Sequence, residues 1–214
     1  MHKSHQKKEE IEKLNSEVSS LKQTVTKLEL LLDDQNAYER RDCVIFSGEA
    51  LPASSIGENC SDIVINVVRQ NLKMNISTQD ISTAHRVGKK PIRQGNDKRG
   101  IIVKLCRRDL KYDFMHACRN QPTGHPRLYV NESLTPARST ILFTLRQMKK
   151  AHPNLIAGCS SYEGRIYAYT KDLNYISVNR KNRRHLVNTH AMLQQFCSEH
   201  VKRPFETFLE NWNH

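Results

Sequence analysis

The chemistry this sequence could do is concentrated in its cations. Between His85 and Lys111 stand Arg86, Lys89, Lys90, Arg93, Lys98, Arg99, Lys104, Arg107, Arg108 and Lys111, faced only by Asp97 and Asp109. Such a density calls for an anion, and guanidinium and ammonium groups on a flexible loop suit the phosphates of a polynucleotide, which they position without reading bases. A solvated basic loop is the plainer reading. Arg40 and Arg41 precede the first apolar run of the same region. Nucleophilic and metal chemistry find less support. The string GCSSYEG around Ser160 misses the last glycine of a nucleophile elbow, so no esterase follows from it. His116 with Cys118, His185 with His190 and Cys197 with His200 have usable spacings, but no second pair completes a tetrahedral set. The expectation is no catalytic residue, no metal and no cofactor.

Charge across the chain agrees. The 214 residues hold 34 Lys plus Arg against 22 Asp plus Glu, a formal net charge of +12. Residues 1–39 carry six lysines and eight acids, a net of −2, so residues 40–214 carry +14. Excess positive charge of that size attracts polyanions through counterion release. No apolar run reaches the roughly 18 residues of a membrane span, and the polar start MHKSHQKKEE does not read as a signal peptide. The six cysteines form no CxxC pair and read as free thiols. These features lead to the expectation of no membrane partner and a cytoplasmic protein, with nuclear access as part of a particle.

The elements that would position these groups form three blocks and a tail, expected at 1–39, 40–131, 132–205 and 206–214. In the first, Ile11, Leu14, Val18, Leu21, Val25, Leu28 and Leu32 alternate steps of three and four, the heptad of a coiled-coil seam. β-branched residues at a with Leu at d lean towards a parallel dimer. An amphipathic helix packed on its own domain has the same pattern. In the second block, strands are expected at Cys43–Gly48, Ile81–Val87, Ile101–Leu105 and Arg127–Asn131, with helices at Glu58–Met74 and Arg108–Arg119. That β-α-β-β-α-β order is the ferredoxin-like, RNA-recognition-like arrangement of an α+β fold. In the third, a helix over Leu134–Lys150 is followed by a turn at Cys159–Gly164, a strand at Arg165–Thr170 and a helix at His185–His200. RNA-recognition domains carry stacking aromatics on the third strand. Here Ile101 and Val103 occupy those positions, leaving Phe46 as the one ring on the first or third strand. Tyr167 and Tyr169 alternate with small residues and suit base stacking or hairpin packing equally.

Heptads followed in order by RRDCVIFSG (Arg40–Gly48), AHRVGK (Ala84–Lys89), RGIIVKLCRRDLKYDFMHACR (Arg99–Arg119) and LYVNESLTPARSTI (Leu128–Ile141) resemble the first-open-reading-frame proteins of LINE-type (non-LTR) retrotransposons and the related baculovirus few-polyhedra (FP) protein family. The resemblance covers about residues 8–200. It implies a homotrimeric coiled coil, a non-standard RNA-recognition domain and a small C-terminal domain that together package single-stranded RNA or DNA as a ribonucleoprotein with nucleic-acid chaperone activity. It also implies a separate, element-encoded endonuclease and reverse transcriptase as partner. Carried onto this chain, it adds Arg138 of TPAR to the expected phosphate contacts and points to His85. Within the same resemblance, a viral structural or trafficking protein that acts through partners of its coiled coil is the other expectation.

Overall fold

A computed structural model describes residues 2–88, 98–121, 126–171 and 183–201. Most of the loop expected between Gly88 and Lys98, with Lys89 and Lys90, and the 206–214 tail lie outside the described residues.

The chain begins with helix α1 (His2–Glu39). Its 38 residues contain neither Gly nor Pro and extend roughly 55 Å at 1.5 Å per residue. Ile11, Leu14, Val18, Leu21, Val25, Leu28 and Leu32 are all exposed, between 47 and 64%. Among the described residues nothing packs on the stripe, and the intramolecular reading of the heptads finds no partner there. The helix ends where Ala37 becomes buried against the rest of the protein.

Strands β1 (Cys43–Gly48), β2 (Ile81–Arg86), β3 (Ile101–Leu105) and β4 (Leu128–Glu132) form one antiparallel sheet in the order β2-β3-β1-β4. Helices α2 (Cys60–Val67) and α3 (Asp109–Arg119) follow β1 and β3. The Asn59 side chain caps α2 by accepting from the Ser61 amide at 3.0 Å. This helix is shorter than its periodicity suggests, because Val68–Leu72 widen into a π-turn that ends at Lys73 in the left-handed conformation. Val44, Phe46, Ile101, Val103, Leu128 and Val130 point to the helix side and are buried with Val64, Val68 and Phe114. Cross-strand register then puts Ile45, Ile102, Lys104, Tyr129 and Asn131 on the opposite face.

The remaining residues build a second core. Thr135 caps α4 (Pro136–Ala151), whose Pro136 occupies the first turn. Strands β5 (Ile156–Tyr162), β6 (Arg165–Thr170) and β7 (Arg183–Leu186) form an antiparallel sheet in that order, followed by α5 (His190–Phe196). Two expectations are corrected here. Cys159–Tyr162 belong to β5, and the turn is only Glu163–Gly164, with φ of 50° and 75°. His185 and Leu186 are strand residues because His185 Nε2 bonds Thr170 Oγ1 on the neighbouring strand at 2.9 Å, and the helix waits for the Thr189 cap.

Phe46 is fully buried, edge-on to Phe114 at 5.5 Å, so it is a core residue with no face for a base. Ile101 and Val103 also face the core. Phe46→Ala is expected to lower stability by about 3–5 kcal/mol in urea unfolding, whereas Tyr129→Ala on the outer face should shift it by less than about 1 kcal/mol.

Candidate functional site

The cations named from sequence separate into two pools. Arg86 is 5% exposed in its side chain. It donates to both oxygens of Glu58 (3.0 and 2.9 Å) and to the carbonyls of Arg99 and Pro52. Alternation along β2 turns it to the side of Ala84, against the loop that precedes α2. Lys111 is 1% exposed, bonding the Arg41 carbonyl at 2.8 Å and pairing with Glu132. Arg138, in the first turn of α4, donates to Asp33 Oδ2 at 2.7 Å, to Asp34 and to the Gly164 carbonyl at 3.0 Å. All three guanidinium or ammonium groups already have anionic partners inside the protein, so none is presented to a phosphate. Their expected role as phosphate contacts is corrected to that of structural ion pairs.

The other pool faces water. Lys104 is exposed on the outer side of β3, opposite Cys43 and Thr83. Arg40 is exposed, with one long bond to Ser133 Oγ at 3.3 Å. Arg41 lies over the Tyr38 ring at 3.6 Å. Asp42 serves two cations, Arg108 at 2.9 Å and Arg41 at 3.8 Å, leaving a local surplus of positive charge. Arg107 is 59% exposed but near Asp80 (3.4 Å) and Asp109 (3.7 Å). Arg99 reaches the Gly88 carbonyl at 2.8 Å.

The outer face of the four-stranded sheet therefore carries Lys104, His85 and Tyr129, and its described strand positions hold no acid. Tyr129 is 49% exposed, with the Arg127 guanidinium 6.0 Å from its ring centre. The Leu-Tyr-Val alternation on β4 turns this ring away from the core, a signal present in the sequence itself. Tyr38 carries no such signal, because its exposure depends on where α1 ends. Tyr112 and Tyr162 stack at 5.6 Å across the two units. Burial, then the hydrogen bonds to Tyr162 and Glu163, push the Tyr112 hydroxyl's pKa up, so it stays a donor.

Burial raises the pKa of the Cys43, Cys60 and Cys159 thiols, the opposite of nucleophile activation. Ser160 Oγ shares a hydrogen bond with Tyr169 at 3.1 Å. Among the described residues no group of three or more His, Cys, Asp or Glu is placed to hold a metal ion, and no helix is long and apolar enough to cross a membrane. No known family and no characterised protein matches the chain.

The two pools differ in what substitution does. Lys111→Ala strands the Glu132 carboxylate in the interior and should cost about 3–5 kcal/mol in urea unfolding, against less than about 0.5 kcal/mol for Lys104→Ala. The hydrogen bond from Arg86 holds Glu58 below the ordinary glutamate pKa. A lowered folded pKa gives stability that is present above the unfolded value and lost as pH falls through the folded one. Urea midpoints measured from about pH 6 to about pH 3 should therefore fall less steeply in Glu58→Gln than in the unmodified protein.

Proposed function

We propose that the chain is a non-enzymatic single-strand RNA-binding protein that self-associates through α1. The observation that carries this reading is the outer face of the four-stranded sheet, whose described strand positions hold no acid, edged by Lys104, the exposed Arg40 and the half-buried Arg41, and furnished with Tyr129. One face packed on helices and one left open is how RNA-recognition sheets present themselves. The strand order β2-β3-β1-β4 and the β-α-β-β-α-β succession favour a ferredoxin-like domain of that kind. Fixed cations would track the backbone, and sparse rings would leave base preference weak.

The unpartnered stripe on α1 supplies the second part. An isolated helix of this composition is marginal in water, and a coiled coil of identical chains would bury the apolar seam. Two or three copies would place as many basic faces on one strand, raising avidity through effective concentration. This accords with the resemblance to retrotransposon first-open-reading-frame proteins and with packaging of RNA beside a separate endonuclease and reverse transcriptase. The internal commitment of Arg86, Lys111 and Arg138 favours the alternative to some degree, a structural protein of the FP type whose helix engages protein partners.

Fluorescence-anisotropy titration of mixed-sequence single-stranded RNA, equal-length DNA and duplex, over several salt concentrations, tests the reading. Single-strand preference with a log–log salt slope of several units is expected. The combined variant Arg40→Ala, Arg41→Ala, Lys104→Ala should weaken binding and flatten that slope by about two. Absence of RNA binding at low salt sinks the proposal. Sedimentation should show an oligomer that becomes monomeric on Leu21→Asp with Val25→Asp, and RNA affinity should drop with it.

A further inference from the structure

The second sheet has an outer face of its own, and its composition is unusual for one that covers no core. Along β6, Ile166, Ala168 and Thr170 are buried, so Arg165, Tyr167 and Tyr169 point the other way. Register aligns Ser160 and Leu186 with Tyr167, and Gly158 and Arg184 with Tyr169. The hydrophobic core beneath closes with Ile141, Leu145, Ile156, Ile166, Leu193 and Phe196, without either tyrosine. Both rings are half-buried and lie outside that core.

They are nevertheless held in place. The Tyr169 ring lies beside Gly158, the one residue of β5 that has no side chain, 3.9 Å from where a Cβ would stand. Its hydroxyl is fixed by Ser160 at 3.1 Å. The Arg184 guanidinium sits 4.7 Å from the centre of the Tyr167 ring. At the strand end Tyr162, 52% exposed, continues the row onto Tyr112 of the first unit. No acid occupies a strand position on this face. Glu163, in the turn between β5 and β6, accepts from the Tyr112 hydroxyl at 3.1 Å and lies 3.9 Å from Arg108.

We infer that the outer face of the β5-β6-β7 sheet is a base-stacking platform for single-stranded nucleic acid, with Tyr167 and Tyr169 as the stacking surfaces and Arg165 and Arg184 as contacts to the flanking phosphates. Pre-fixed rings and a guanidinium plane accept any base, because every base has a π-face. Among the described residues neither of these guanidiniums is paired with a carboxylate, which suits a phosphodiester. A sugar ligand would instead need acids or amides for its hydroxyls, and the strand positions of this face supply none. The row Tyr167, Tyr162 and Tyr112 leads towards the first unit, so one strand could use both surfaces. This inference rests on the single-strand-binding reading and adds where bases, as distinct from phosphates, are held.

The full chain is titrated with mixed-sequence single-stranded RNA and with an abasic sugar-phosphate strand of equal length. The expected result is tighter binding of the RNA, an affinity loss of about tenfold for each of Tyr167→Ala and Tyr169→Ala with the salt slope unchanged, and near-normal binding for Tyr167→Phe. Photocrosslinking of 4-thiouridine RNA to the unsubstituted protein, which does not depend on any variant folding, should mark the peptide containing Tyr167 and Tyr169. If the protein binds RNA but does not distinguish it from the abasic strand, or the alanine variants retain full affinity, the platform is overturned while nucleic-acid binding stands. If the protein binds neither strand at low salt, both readings fall together.

Discussion

The Glu132 carboxylate is the contact on which the arrangement of the molecule depends. It stands at the end of β4, buried, and takes the Lys111 ammonium from α3. It also accepts from the backbone amides of Glu163 at 2.9 Å and Gly164 at 3.4 Å in the turn between β5 and β6. That turn has positive φ at a glutamate as well as a glycine, and a carboxylate receiving both amides offsets the strain at the non-glycine position. Arg138 completes the junction, joining the Gly164 carbonyl to Asp33 and Asp34 of α1. Gly164 lies close to Ala37, its notional Cβ 3.6 Å from that of Ala37. Long helix, first sheet and second sheet are thereby fixed to one another through the buried Glu132, Lys111 and Arg138.

Such a junction costs desolvation, and ion pairs of this kind add little net stability compared with apolar packing of equal volume. What they add is geometry. An apolar contact between the units would tolerate sliding, whereas Glu132 and Arg138 each need several partners at fixed directions. A fixed junction has a functional consequence, because cations that hold units together are withdrawn from any ligand. The outward-facing cations then sit on surfaces of known relative position, around β1 and β3 in one unit and β6 and β7 in the other.

Among the described residues, helix α1 meets the rest of the chain near its C-terminal end, where Asp33, Asp34 and Ala37 join the junction. Its preceding turns display an apolar stripe to water, a condition that association relieves. Since Arg138 holds the helix end to the β5-β6 turn and Glu132 holds that turn to β4, copies joined along the stripe would present their outer faces in a set orientation, which a flexible linker would not provide.

Much of this was legible from residue order alone. The heptads determine a helix with one apolar side, and the alternations CVIFSG, IIVKL and RIYAYT determine strands, because side-chain period is a local property of the backbone. The excess of Lys and Arg determines a basic protein. Other features depended on contacts between residues far apart in sequence. His185 reads as helical until Thr170 on β6 claims its ring, and Cys159–Tyr162 read as a turn until β6 pairs with them. Phe46 reads as a ring on a binding strand until the sheet's parity turns it inward onto Phe114. The strings HRVG and NESLTPAR were legible as distinctive, but not the task of their arginines. A formal charge counts the same whether its partner is water, a phosphate or a carboxylate 105 residues away, as Asp33 is from Arg138. Only the folded chain, by bringing Glu58, Glu132, Asp33 and Asp34 to Arg86, Lys111 and Arg138, decided which cations are spent inside and which face outward.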